Sequence, residues 1–179
     1  MKVKRNVEFK TNSFLVGDII SFKLKTGEKV KAMAVDQDAE GTTFLFVNCL
    51  NEEYRMNPIN TTEGGYEASE LRKTLNTAIL ASFPKKIMYR MIPVFNGDLL
   101  TIPDKANIFE NESQQPWEPM KQRRNRIAFR GENEAFDWYW LRDVISSAYF
   151  AIVGGNGNAY YANASNVLGV RPAFKIRNL

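Results

Sequence analysis

The chain has 179 residues, the size of one domain, and its 44% hydrophobic and 12% aromatic content can fill a substantial core. Twenty-four basic against 20 acidic residues leave a net charge of +4 and a pI near 9.1, which permits contact with anionic surfaces without demanding nucleic acid. A single cysteine excludes an internal disulfide, and the lack of histidine removes the commonest general base and transition-metal ligand. No apolar run reaches signal-peptide or membrane-span length, so a soluble chain of cytoplasmic synthesis is expected.

Residues 1–14 are basic at Lys2, Lys4, Arg5 and Lys10, and read as an extended arm or edge strand. From Asp18 the pattern sharpens. Ile20, Phe22 and Leu24 alternate with Ser21, Lys23 and Lys25; the chain turns at 25–28, returns over 29–35, turns again at 36–41 and runs out over 42–49. These segments predict a β-meander. Cys49 ends its last apolar run and reads as a buried small hydrophobe rather than a reactive thiol.

Residues 51–65 form a polar connection. Ser69 then has the character of an N-cap with Glu70 suited to the helix dipole, and Leu71, Leu75, Ala78 and Ile79 line one face of a helix that Pro84 ends. Residues 85–95 alternate as a strand would, 96–98 turn, 99–102 are extended, and 103–109 contain a helical turn. From 110 to 134 a long polar connection is expected to pack around Trp117, and its KQRRNR run at 121–126 reads as a solvated loop.

The stretch 136–176 holds two of the three tryptophans and four of the seven tyrosines among Gly, Asn and Ser. Trp138 and Trp140 alternate with Tyr139 and Leu141, and Phe150 and Ile152 with Tyr149, Ala151 and Val153. Residues 154–158, GGNGN, supply the positive-φ positions of a tight hairpin. Residues 159–162 return as a third strand. Residues 170–176 read as a fourth in the same antiparallel run, with Pro172 favouring an edge or bulge.

Trp140-Leu141-Arg142, the Gly/Asn/Ser/aromatic stretch after it, and GVRPAF at 169–174 resemble a bacterial and phage domain family of uncharacterised function. The segment SELRKTLN at 69–76 resembles the helix of that family. The resemblance implies a C-type-lectin-like fold, shared by formylglycine-generating enzymes and by retroelement-diversified ligand-binding proteins. In the diversified proteins the corresponding end of the fold carries the variable ligand-binding face. The expected fold is therefore a single α+β domain over 1–179, with a β-meander at 1–50 and the helix plus lectin-like portion at 66–179.

Composition argues against most chemistry. Formylglycine generation needs a pair of copper-handling thiolates, whereas this chain has Cys49 alone. No phosphate-cradling or dinucleotide glycine pattern appears, and 154–157 lacks the Lys and helix of such a loop. Glu132, Glu134 and Asp137 read as a solvated acidic segment. Calcium is disfavoured, since Asn156, Asn158 and Asn163 offer amides with few carboxylates nearby. No catalytic residue, metal or cofactor is expected. Arg142 and Arg171 are expected to be structural, with Trp138 and Trp140, although a guanidinium pair at an anion site is the alternative. Nucleic acid is disfavoured because KQRRNR has neither a recognition helix nor interleaved aromatics.

The remaining signal is the Tyr/Asn surface of Tyr149, Asn156, Asn158, Tyr160, Tyr161 and Asn163. Two readings stand: an adaptable recognition surface, or packed tyrosines with polar turns. Alternation requires at least one of Tyr160 and Tyr161 to face outward. The expectation is a non-catalytic recognition module of a bacterial or prophage protein that takes a protein or surface glycan. The alternatives are a phage virion or assembly component and, behind it, an enzyme of unspecified reaction. Oligomeric state and final compartment do not follow from the sequence.

Overall fold

A computed structural model of the chain describes residues 14–131 and 135–178; all but the last residue of the expected N-terminal arm, and Glu132 and Glu134, lie outside them. The meander forms where the alternation places it: β1 (Ile19–Lys23), β2 (Lys29–Gln37) and β3 (Gly41–Phe46), antiparallel throughout, with a bulge at Val35. Gly27 takes φ 95° to close the first turn, where Leu24 N–H donates to the Glu28 carbonyl at 2.8 Å.

Ser69 caps the helix as its sequence context predicts, its hydroxyl accepting from Arg72 N–H at 3.1 Å. The helix begins as α1 (Glu70–Thr74) and widens into a π-helical turn over Leu75–Ile79. Asn76 Nδ2 donates there to the Arg72 carbonyl at 3.1 Å, which also accepts from the Leu75 N–H. Leu71, Leu75 and Ile79 face the core, whereas the expected fourth member, Ala78, is exposed because the wider turn shifts the phase beyond Leu75.

Residues 85–95 are not one strand. After Pro84 (φ −65°) the chain makes a single helical turn, α2 (Lys85–Met88), and only β4 (Met91–Ile92) is extended. Proline's fixed φ suits a helix start, and burial of Ile87 holds the turn against the core. Residues 103–109 contain the expected turn, α3 (Lys105–Ile108), with Asp104 and Asn107 bonded reciprocally as a capping box. Trp117 packs on the core as expected, and the connection continues through a 3₁₀ turn, Glu118–Lys121, into α4 (Arg123–Arg126).

A two-stranded ribbon, β5 (Ala128–Phe129) with β6 (Phe136–Asp137), leads into a three-stranded antiparallel sheet of β7 (Tyr139–Val144), β8 (Tyr149–Val153) and β9 (Ala159–Asn163). The expected fourth strand, β10 (Ala173–Arg177), does not join it. It crosses to the meander and inserts between β3 and β4, completing a five-stranded sheet in the order β1-β2-β3-β10-β4. Pro172 stands just ahead of it, accepting from Phe46 N–H at 2.9 Å, so the strand is central from the next residue onward. The architecture is thus mixed α and β, mostly antiparallel, with few and short helices.

The crossing passes Gly169, whose N–H donates to the Trp138 carbonyl at 2.7 Å. A Cβ there would lie 2.5 Å from Asp137 Oδ2 and 2.8 Å from that carbonyl, so only glycine permits the approach. Two hydrophobic clusters result, and each sheet feeds both. Phe22, Phe44, Phe46, Phe174, the α1 face and Trp140, Phe150 and Ile152 form the larger. Leu45, Ala173, Tyr139, Leu141, Ala151 and Val153 form the smaller, with Ile108 and Met120. Strand β3 is consequently buried at all six positions. No helix among the described residues is long and apolar enough to cross a membrane.

Candidate recognition surface

The β8–β9 hairpin turns where the glycines predict: Gly157 has φ 79°, and Gly154 N–H donates to the Asn158 carbonyl at 2.9 Å. Its tip is held from outside. Arg123 Nε donates to the Asn156 carbonyl at 2.7 Å and Arg126 Nε to the Gly157 carbonyl at 3.0 Å. Two arginines of the KQRRNR run are therefore anchors of the hairpin rather than parts of a solvated loop. No feature of the run's sequence indicates this, because the carbonyls it meets lie in a distant turn.

The six Tyr/Asn residues do not form one patch. Tyr160 is paired with Ile152 and Tyr161 with Ala151, so the two tyrosines project from opposite faces of β9 and both are exposed, at 46% and 61%. On one face the Tyr160 ring lies parallel to Trp138, with centroids 6.1 Å apart and planes 10° apart. Asn156 Nδ2 donates to the Tyr160 hydroxyl at 2.9 Å, and Asn156 Oδ1 accepts from Asn158 N–H at 3.0 Å. On the other face Tyr149 meets Tyr161 at 5.1 Å, and Asn163 Oδ1 accepts from Asn60 Nδ2 at 3.3 Å.

Trp138 and Trp140 share an alternation but not an environment. Trp140 is fully buried, with Nε1 donating to the Tyr54 carbonyl at 2.8 Å, while Trp138 is half exposed. Phe136, one step further out, is 64% exposed and stacks on Phe129 at 5.0 Å. Gly155 sits between Phe136 and Trp138, where a Cβ would lie 3.4 Å and 3.5 Å from them. Phe129 with Phe136 and Trp138 with Tyr160 thus form two stacked pairs on either side of Gly155. The sequence signal for them is the i, i+2, i+4 series Phe136, Trp138, Trp140, of which only the inner member reaches the core.

Both arginines of the resemblance hold structure. Arg142 donates to the Ile102 carbonyl and, through Nη2, to Asp104 Oδ2 at 2.9 Å, and its guanidinium lies 4.2 Å from the Phe95 ring centroid. Arg171, buried beneath β3, donates to the Phe46 carbonyl at 2.6 Å and to the Tyr139 hydroxyl at 3.1 Å. The Tyr139 hydroxyl in turn donates to the Arg126 carbonyl at 2.8 Å, and burial raises its pKa.

Asp137 is not solvated as its sequence neighbourhood suggested. It is buried beside Arg130, Glu53 and the Gly169 crossing; burial and then the Glu53 charge push its pKa up to about 6. Cys49 is likewise buried and its thiol is raised well above its usual value. Native protein should therefore resist a thiol-specific reagent at neutral pH and take up one equivalent in denaturant; rapid native labelling would contradict this burial. No group of three or more metal-ligating side chains converges among the described residues.

A groove of about 1010 Å³ beside this surface lies between the β1–β2 ribbon and the β5–β6 ribbon. Lys23, Lys29 and Lys31 line one side, Phe129 and Phe136 the other, and Cys49 and Asn48 are among its further lining residues. Comparison with family models, curated proteins and solved structures finds no match.

Proposed function

We propose that this chain is a non-catalytic recognition module of a bacterial or prophage protein, with a protein or a surface glycan as its ligand. The observation that carries the reading is the exposed parallel pair Trp138 and Tyr160, rimmed by Asn156 and Asn158. Rigid rings offer apolar area at small entropic cost, and neighbouring amides supply hydrogen bonds. The hairpin anchors Arg123 and Arg126 preorganise the pair, which lowers the cost of ordering it on binding.

A C-type-lectin-like arrangement accompanies this reading. Its support is the W-L-R and G-V-R-P-A-F sequence pattern, with Arg142 and Arg171 tying loops and strands together at those positions. The face of Tyr149 and Tyr161 is secondary, since it lacks a flat stacked pair.

The test is a screen of the purified chain against a glycan array and a host cell-surface extract, beside separate Tyr160→Ala and Tyr161→Ala variants of verified fold. Because the two tyrosines lie on opposite faces, binding should fall at least tenfold in the first and less than threefold in the second, roughly the scale of one interface hot spot. Absence of binding by the parent would move the weight to a structural virion or assembly component. That second reading is favoured by one feature, the exposed edge of β9 with its two tyrosines. It requires self-association visible by light scattering.

A further inference from the structure

The groove between the two ribbons has a second, separable chemistry. On β1 and β2, Lys23 stands directly opposite Lys29, and Lys31 opposite Ser21. Like charges directly opposed across an antiparallel pair destabilise it, and among the described residues none of these three lysines forms an ion pair. Glu28, the acid among the described lining residues, accepts from the Asn51 N–H at 2.8 Å. Among the described residues, those that line the opposite wall are uncharged, Gly131 with the two stacked rings of Phe129 and Phe136, the latter 64% exposed.

We infer that this groove binds single-stranded nucleic acid, with phosphates on the lysine wall and bases on the phenylalanine wall. The separation of cations from rings decides the class. A single strand carries its charge along one edge and its flat π faces along the other. An acidic glycan places its anions on the rings themselves and offers no π face, and a duplex hides its base faces in its own stack. The volume, about 1010 Å³, stands at the upper end of small-ligand pockets and suits an extended chain. The basic pI of 9.1 agrees in sign. KQRRNR takes no part: the cations and the rings come from strands far apart in the chain, so the pairing is invisible along the sequence.

Binding of the full chain to a labelled oligothymidylate, followed by fluorescence anisotropy across a salt series, tests this directly. Three phosphate contacts give a slope of log K against log salt of about −2, since each contributes roughly 0.7 on single strands. Lys29→Gln should flatten the slope by about 0.7. Phe136→Ala should weaken binding by about tenfold or more with the slope unchanged, and Phe136→Trp should restore it. Duplex of the same length and a sulfated polysaccharide should bind more weakly. No binding to the oligonucleotide at about 50 mM salt overturns the inference. So does equal binding of all three polyanions with no effect of Phe136→Ala, which would mark a general anion patch. Tyr160→Ala, decisive for the recognition surface, should leave this binding within twofold, so the two readings fail separately.

Discussion

Replacing Trp140 with alanine is expected to cost about 4 kcal/mol of stability, enough to remove a large share of what holds a domain of this size folded. The indole, on the second residue of β7, is completely buried, meets Phe150 edge to face at 6.4 Å, and belongs to the cluster shared by the two sheets. Its loss leaves a cavity among side chains fixed by β3, β8 and β10. It also removes one of the two hydrogen bonds to the Tyr54 carbonyl, which accepts the indole N–H at 2.8 Å and the Leu168 N–H at 3.1 Å. Trp140→Phe separates the two contributions: most of the volume returns, the donor does not, and because the carbonyl keeps its bond from the Leu168 N–H a cost of roughly 0.5–1.5 kcal/mol should remain. Urea denaturation of both variants measures this. A cost below about 1 kcal/mol for alanine would mean that the two sheets do not share a packed core at β7.

The elements legible in the sequence were those whose cause is local. Alternation over 19–46 gives the meander, Ser69 the helix start, residues 103–109 a helical turn, and the glycines of 154–157 a hairpin. What failed depended on distant partners. Residues 85–95 carry a strand's alternation, yet Pro84 and the pocket for Ile87 turn half of them into a helical turn. The strand pattern at 170–176 is correct in kind, but nothing within it says that β3 and β4 await it rather than β9. At the surface, the opposite facing of Tyr160 and Tyr161 follows from a period of two, whereas the same period puts Trp138 on one face with its buried neighbour Trp140 and does not tell the two apart. Alternation assigns a face, and only the depth of the sheet above it assigns burial. The lysine and phenylalanine walls of the groove meet through tertiary packing alone.

Asp137→Asn is expected to make the protein more stable at pH 7, by about 3 kcal/mol, and to flatten its pH dependence. The carboxylate is 4% exposed; Oδ1 accepts from Trp138 N–H at 3.0 Å, while Oδ2 lies 3.6 Å from Arg130 Nε and has no hydrogen-bond partner. Arg130 is meanwhile engaged by Glu53, whose charge opposes ionisation of Asp137. With the folded pKa near 6 against 3.8 for the free group, the native state keeps a proton that the unfolded chain has lost between about pH 4 and 6. The native state therefore binds more protons across that window, and stability falls as pH rises through it, by roughly 3 kcal/mol in all. Below the window both states are protonated and above it both are ionised, so this group adds no further slope. Asparagine keeps the Oδ1 acceptor and never ionises, so parent and variant should converge near pH 4 and part by pH 7 in chemical denaturation. If the variant were instead the less stable at pH 7, attraction to Arg130 would outweigh burial and Glu53. The carboxylate would then hold the β5–β6 ribbon, and with it Phe136 and Trp138, through charge rather than through its hydrogen bond to the Trp138 amide.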